Sequence, residues 1–305
     1  MKSYKEILNE IPTVGFLKEM SENDLLTLKK LFVDVYIEIQ KKCLDNDINV
    51  MLIGGSLLGA VRHKGFIPWD DDFDLAIKRA DYEKLKNNFE KIIGSEYKLI
   101  GPNYKGVTVN RFPQILIPNT RFVTLETANE KLPKEIKIDL FIIENVPENK
   151  IHRCLKGLLC NALMYIAGLV QSYENDNALL KQFMSQTKDG AEFYHRRLKK
   201  GRLFSFFSCS KWFDIIDKVV QYKKETSLAS LPTGRKHYFG EILPTKIFFP
   251  TITGQFENCE VNIPNGYDAY LKNLYGDYMQ IPPIEKREKH FICDICFDTQ
   301  KEREN

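Results

Sequence analysis

The chain has 305 residues, 43% of them hydrophobic and 28% charged, enough for one large domain or two modest ones with a core that needs no staples. Lys and Arg total 44 against 41 Asp and Glu, and a net charge of +3 gives no global drive toward nucleic acid, so no nucleic-acid partner is expected. Seven cysteines without regular spacing fit a reduced cytoplasmic compartment better than a disulfide framework.

MKSYKEILNEIP at the start lacks the apolar run of a signal peptide, so none is expected. Ser21, with Asp24 at the capping-box position, then opens a long helix whose face carries Leu25, Leu28, Phe32, Val35 and Ile39 at 3-4-3-4 spacing. Val50–Ile53 predicts a short buried strand that runs into a Gly54-Gly55-Ser56 turn, with a helix over Leu57–Arg62 behind it. Phe73–Ile77 predicts a second strand, and Tyr82, Leu85, Phe89 and Ile92 a helix. Strand-like segments follow at Tyr97–Ile100, Val107–Ile117, Arg121–Leu125 and Ile136–Ile143. From Pro147 to about Lys224 the pattern is helical. Cys154–Val170, broken by Lys156 and Asn161, falls short of a transmembrane span and reads as a core helix rather than a membrane-surface one. The tail is mixed, with strands at Ile247–Thr253 and Cys259–Ile263 and a helix near Tyr267–Leu274. The layout is an α/β core over 1–146, a helical region over 147–235 and a C-terminal segment over 236–305 that packs back on the core.

The informative stretch is Ile53 to Leu75. Glycines at a helix start let backbone approach a phosphate, and Ser56 adds a hydroxyl, although Gly-Gly-Ser also punctuates ordinary turns. Asp72 and Asp74, two apart on a predicted strand, leave the same face roughly 7 Å apart. Such carboxylates repel unless a cation sits between them, and oxygen-only ligands point to Mg²⁺ or Mn²⁺. A solvated acidic loop is the alternative, but Phe73, Leu75 and Ile77 tie these acids to an apolar strand, and the whole Asp70-Asp71-Asp72 run leads into it. Asp139, lone within Ile138–Ile143, needs either a basic partner or the same metal.

Gly55-Ser56, Asp72-x-Asp74 and a later Asp139 together resemble the nucleotidyltransferase-fold superfamily, and LGAVRHKGFIPWDDDFDLAI closely resembles its LicD family. Tyr270–Met279, Pro282-Pro283 and the pair Arg287 and His290 are similar to the LicD ending, so the resemblance spans roughly residues 25 to 292. Members include bacterial phosphocholine transferases and, in animals, fukutin and fukutin-related protein. The resemblance implies a mixed-sheet α/β (α+β) nucleotidyltransferase fold and a Mg²⁺- or Mn²⁺-dependent phosphotransferase. Its donor would be linked to cytidine diphosphate, CDP-choline leading, and its acceptor would be a glycan or lipid-linked glycan of teichoic acid, capsule or lipopolysaccharide. Asp72, Asp74 and Asp139 would be catalytic and metal-binding, with Asp70 an outer alternative. Arg287 and His290 would fold back on the active face.

Arg62 and His63 read as phosphate or leaving-group contacts or as a solvated loop, and His63 also as a proton donor. Trp69 reads as packing ahead of an aromatic cage for a quaternary ammonium. The lone Cys293-x-x-Cys296 lacks a second pair for zinc, and alternation places it on a strand. The basic run His195–Arg202 suits a solvated helix end better than an anionic acceptor or the inner face of a membrane. A nucleotidyltransferase acting on a small phosphorylated alcohol or sugar is the second enzyme reading; a non-catalytic nucleotide-binding protein is the third, disfavoured because the acidic positions are intact.

Overall fold

The computed structural model describes residues 17, 20–106, 108–283, 287 and 292–300. Helix α1 (Glu22–Leu44) is capped by the Ser21 hydroxyl, which accepts the Asp24 backbone N–H, and buries Leu28, Phe32, Val35 and Ile39 as the periodicity predicts. It packs on a mixed sheet built from β1 (Val50–Leu52), β2 (Asp74–Lys78), β3 (Lys98–Ile100), β4 (Gln114–Leu116) and β6 (Lys137–Asn145), ordered β1-β2-β6-β4-β3. Only β2 and β6 run parallel in that order, with Asp74 beside Asp139; the other pairs are antiparallel. Between these strands lie α2 (Gly54–His63), α3 (Arg79–Asn87) and β5 (Arg121–Thr124).

A helical block follows: α4 (Lys150–Glu174), α5 (Ala178–Met184), α6 (Lys188–Phe204) and α7 (Cys209–Val220). Its own core joins Cys160, Met164, Ala167 and Val170 of α4 to Trp212, Phe213 and Ile216 of α7. The chain then returns to the sheet. β7 (Leu228–Ser230) pairs with the end of β6 and with β8 (Leu243–Pro244). The hairpin β9 (Thr251–Phe256) and β10 (Cys259–Pro264) packs beside β1, helix α8 (Tyr267–Tyr275) buries Tyr270, Leu271 and Leu274 in the main core, and β11 (Ile292–Cys296) pairs with β5. The mixed α/β class and the return of the C-terminal segment are as expected from the sequence, and Cys293 and Cys296 lie on a strand.

The strand expected at Ile247–Thr253 begins only at Thr251, because Ile247 and Phe248 lie in a short helix over Thr245–Phe248. Three further expectations need correction. The helix after β1 begins at Gly54, not Leu57, because Gly54 at φ +55° turns the chain directly from strand into helix, so Gly55 and Ser56 belong to its first turn. Of the strand predicted from Val107 to Ile117, Val107 lies outside the described residues, residues 108–113 form a loop that supplies side chains to a cavity instead of pairing, and the strand is Gln114–Leu116. Helix α4 is a core helix on one face only, with Leu155 and Leu158 largely exposed.

A buried ion network joins sheet to helical block. Arg79 pairs with Glu144 and with Asp217, the latter at 2.7 Å, and Asn103 donates to the other Asp217 oxygen at 2.8 Å. Burial pushes the Glu144 carboxyl up, and Arg79 opposes that shift. Arg79→Met strips both carboxylates of their counter-charge and is expected to destabilise the fold by about 3–5 kcal/mol in urea unfolding. A loss below about 1 kcal/mol would show that the network is not the joint between the two layers.

Candidate active site

Four acids meet where β2, β6 and the start of α2 come together. The Gly55 N–H donates to Asp74 Oδ2 at 3.1 Å, and the Asp74 N–H donates to Ser56 Oγ at 2.8 Å, so strand and helix are tied at both atoms. A side chain begun at Gly55 would place its Cβ 3.0 Å from Asp70 Oδ2, 3.7 Å from Asp74 Oδ2 and 3.8 Å from Asp72 Oδ1. The carboxylates of Asp70, Asp72 and Asp74 therefore surround one small volume that only glycine leaves open. Asp139 is in register with Asp74 on the neighbouring strand and acts on its carboxyl electrostatically. Burial drives the Asp74 carboxyl well above the usual carboxylate range, and Asp72, Asp139 and Asp70 add to the shift against the hydrogen bond from Gly55.

Asp72 is not on the strand. It stands in the extended lead-in before Asp74, and the convergence comes from the loop rather than from strand alternation. Lys29 of α1 holds that loop from behind, donating to the carbonyls of Ile67 (3.1 Å) and Pro68 (2.9 Å). Burial lowers its ammonium pKa, and Asp70, Glu257 and Asp71 oppose the shift.

Asp71, Asp72 and Asp139 border a cavity of about 540 Å³, a size suited to a small-molecule ligand. Its lining also includes Arg111 from the loop before β4, Gln171 and Ser172 from α4, and Arg197 from α6. Arg197 donates to Ser172 Oγ at 3.0 Å and to the Gly168 carbonyl at 2.8 Å, which fixes α6 against α4. Gln114, fully buried on β4, donates to Asp139 Oδ1 at 2.6 Å while its own Oε1 has no hydrogen-bond partner among the described residues. Lys29, Arg111 and Gln114 were not singled out for this role in the sequence, and Arg197 stood in the basic run His195–Arg202, where an anionic acceptor was the less favoured reading. Of the first three, Gln114 in an otherwise apolar strand is the one that left a trace there.

The other expected residues are placed unevenly. Ser56 is 1% exposed and lies beneath the acids, outside the cavity wall, with its oxygen engaged by the strand. Arg62 reaches the C-terminal segment, donating to the carbonyls of Tyr278 (2.7 Å) and Gln280 (3.4 Å), and its Nε donates to His63 Nε2 at 2.9 Å. That bond makes His63 Nε2 an acceptor, and burial followed by the charges of Arg62 and Lys29 lowers its pKa, so the ring is held neutral rather than poised as a proton donor at that atom. Arg287 stacks on Trp69 with its guanidinium carbon 3.9 Å from the ring centre, which brings the C-terminal segment back beside the acidic loop and fills one face of the ring. His290 lies outside the described residues.

Arg62→Ala removes the charged donor from both carbonyls. Hydrogen exchange over residues 276–281 is expected to quicken by about ten- to a hundredfold, for a loss of about 1.5–3 kcal/mol, and unchanged exchange there would mean that the segment is held by α8 alone.

Residues 47–152 match the family model described as LicD/FKTN/FKRP, nucleotidyltransferase domain, a stretch that contains all four converging acids. The chain carries a LicD-family domain. It is 26% identical over 274 residues to the lipopolysaccharide cholinephosphotransferase LicD of Haemophilus influenzae, covering 80% of this chain and 87% of that one. Uncharacterized proteins of Rickettsia typhi and Rickettsia prowazekii are 42% and 40% identical over 62 residues, about a fifth of each chain. With this domain and a named transferase similar along most of its length, the protein is a transferase.

Proposed function

We propose that this transferase is a cytoplasmic, Mg²⁺- or Mn²⁺-dependent phosphotransferase that moves phosphocholine from CDP-choline to a hydroxyl of a cell-surface glycan, lipopolysaccharide first. The observation that carries the chemistry is the gathering of Asp70, Asp72 and Asp74 around Gly55 with Asp139 in register beside them, at the edge of a ligand-sized cavity. The choice of phosphocholine and lipopolysaccharide rests on the Haemophilus relative.

The donor set is all oxygen and fits a hard divalent cation, although among the described residues no three acids already stand in ligand geometry. Asp72 and Asp74 would hold the cation, with Asp139 or Asp70 completing the set. A bound cation would neutralise charge developing on the donor diphosphate. The acceptor oxygen bonds to the distal phosphorus, the bond from that phosphorus to the bridging oxygen breaks, and cytidine monophosphate leaves with the electron pair. Asp139, on the cavity wall and oriented by Gln114, takes the hydroxyl proton. Arg111 and Arg197, which line the same cavity, offer positive charge to an anionic substrate. Ser56 and the Gly55 N–H position the acidic strand rather than the phosphate.

Excess chelator is expected to abolish turnover, and Mg²⁺ or Mn²⁺ to restore it where Zn²⁺ does so poorly. A panel of CDP-choline, CDP-ethanolamine, CDP-ribitol and CDP-glycerol with a lipopolysaccharide acceptor should release cytidine monophosphate fastest from CDP-choline. Full turnover in chelator, or a different preferred donor, would overturn the corresponding half of the reading. The phrase nucleotidyltransferase domain keeps a second outcome in view: release of pyrophosphate from a nucleoside triphosphate would mean that the nucleotidyl group is what moves.

A further inference from the structure

Helix α4 presents a continuous apolar stripe to the outside. Ile151, Leu155, Leu158, Leu159 and Tyr165 are 49–72% exposed and fall on one arc of the helix, about 21 Å from end to end. At the Tyr165 end the stripe meets α6, whose Lys200 ammonium lies 3.4 Å from the Tyr165 hydroxyl. Arg196, Lys199 and Lys200 are exposed along one face of α6, which ends in exposed Leu203, and the turn beyond it exposes Phe206 and Phe207. Single exposed leucines are ordinary; an aligned set with an adjoining basic face and aromatic tip is not.

We infer that this face docks on an anionic lipid surface, with α4 lying in the plane of the headgroups. The charge pattern selects the occupant. Two copies meeting through the same patch would set its cations against apolar side chains or against one another, whereas anionic headgroups over an apolar interior complement both the cations and the stripe. Of the acids of α6, Glu192 stands one turn from Arg196, while Lys199 and Lys200 lie seven and eight residues beyond Glu192, about 10–12 Å along the helix. α4 is long and apolar enough to cross a membrane, but Cys160, Met164, Ala167 and Val170 on its other side are packed against α7, so it lies on the bilayer rather than through it. Lipid docking is independent of the reaction chemistry. Combined with it, docking has a consequence: Gly168, Gln171 and Ser172 of the same helix line the cavity, which places the acids within a few helix diameters of the lipid and makes a lipid-carried acceptor accessible.

The test is flotation of the full chain with vesicles of phosphatidylethanolamine and phosphatidylglycerol, against vesicles of phosphatidylcholine alone. The protein is expected to float with the anionic vesicles and to be released by high salt. Leu155→Glu/Leu158→Glu and, separately, Lys199→Glu/Lys200→Glu should each lower the bound fraction about ten-fold, with unchanged circular dichroism and unchanged turnover of a delipidated, soluble acceptor. Equal binding to both vesicle types, or no flotation of the wild type, would overturn the inference. So would wild-type dimers in light scattering that become monomers in Leu155→Glu/Leu158→Glu, because the face would then be a self-interface.

Discussion

Asp74→Asn is expected to lower turnover by on the order of a thousandfold or more while leaving the metal-free protein as stable as the wild type or more so. Two physical effects act in opposite directions on the two states. Asp74 is half-buried, its ionised form is disfavoured first by loss of solvent and then by Asp72, Asp139 and Asp70, and the Gly55 N–H favours it. An amide of the same shape removes the like-charge repulsion and can still occupy the pocket between α2 and β2. In the loaded enzyme the same change removes a negative ligand from the cation, several kcal/mol of transition-state charge stabilisation at about 1.4 kcal/mol per factor of ten. Thermal melting with and without Mn²⁺, beside initial rates, separates the two effects. The wild type should gain melting temperature with Mn²⁺ and Asp74→Asn should not. A folded variant with near-normal turnover would reduce the acidic cluster to a structural feature of the β2–β6 pair.

Gly55→Val is expected to weaken cation-dependent donor binding by on the order of a hundredfold, far beyond Ser56→Ala, which removes one neutral hydrogen bond of about 1 kcal/mol. The reason lies in what surrounds the missing side chain. The Cβ alone would sit 3.0 Å from Asp70 Oδ2, and the two methyls of valine would enter the volume shared by Asp70, Asp72 and Asp74. Gly54→Ala strikes the same place from the backbone: φ is +55°, and a Cβ there would lie 2.6 Å from Asp74 Oδ2. Calorimetric titration of CDP-choline in the presence of Mn²⁺ measures the loss in each folded variant. Wild-type affinity in Gly55→Val would mean that the space between the carboxylates is not where the cation and diphosphate sit.

Much of the fold was legible because it rests on short-range rules. Ser21 and Asp24 marked the cap of α1, and its 3-4 spacing named the buried face correctly. Gly55, Asp72, Asp74 and Asp139 could be singled out because carboxylates beside apolar strand residues demand a physical reason. What the sequence could not supply was pairing across the sheet. Gln114 contacts Asp139 because β4 lies antiparallel to β6 in one register, a relation between residues 25 apart that no local pattern encodes. Lys29 and Arg197 belong to helices whose packing brings them to the acidic loop and the cavity, and their spacing alone looks like any solvated helix face. The roles expected of Arg62 and Ser56 shifted for a related reason. Both side chains have closer protein partners, Tyr278 and Gln280 for one and Asp74 for the other, than any ligand-facing position would leave them. The exposed stripe of α4 was hidden because hydrophobic periodicity shows which residues are apolar, not which of them the rest of the chain covers.

The most direct test of the transferase reading follows the fate of a doubly labelled donor. CDP-choline carrying ³²P on the choline-side phosphate and ¹⁴C in the choline methyl groups is incubated with the protein, Mn²⁺ and dephosphocholinated lipopolysaccharide. Both labels should move to the acceptor in equal amounts, with one unlabelled cytidine monophosphate released per transfer, and Asp74→Asn should leave both in the donor. Labels that stay in solution while cytidine appears on the acceptor, or transfer at the wild-type rate by Asp74→Asn, would contradict it.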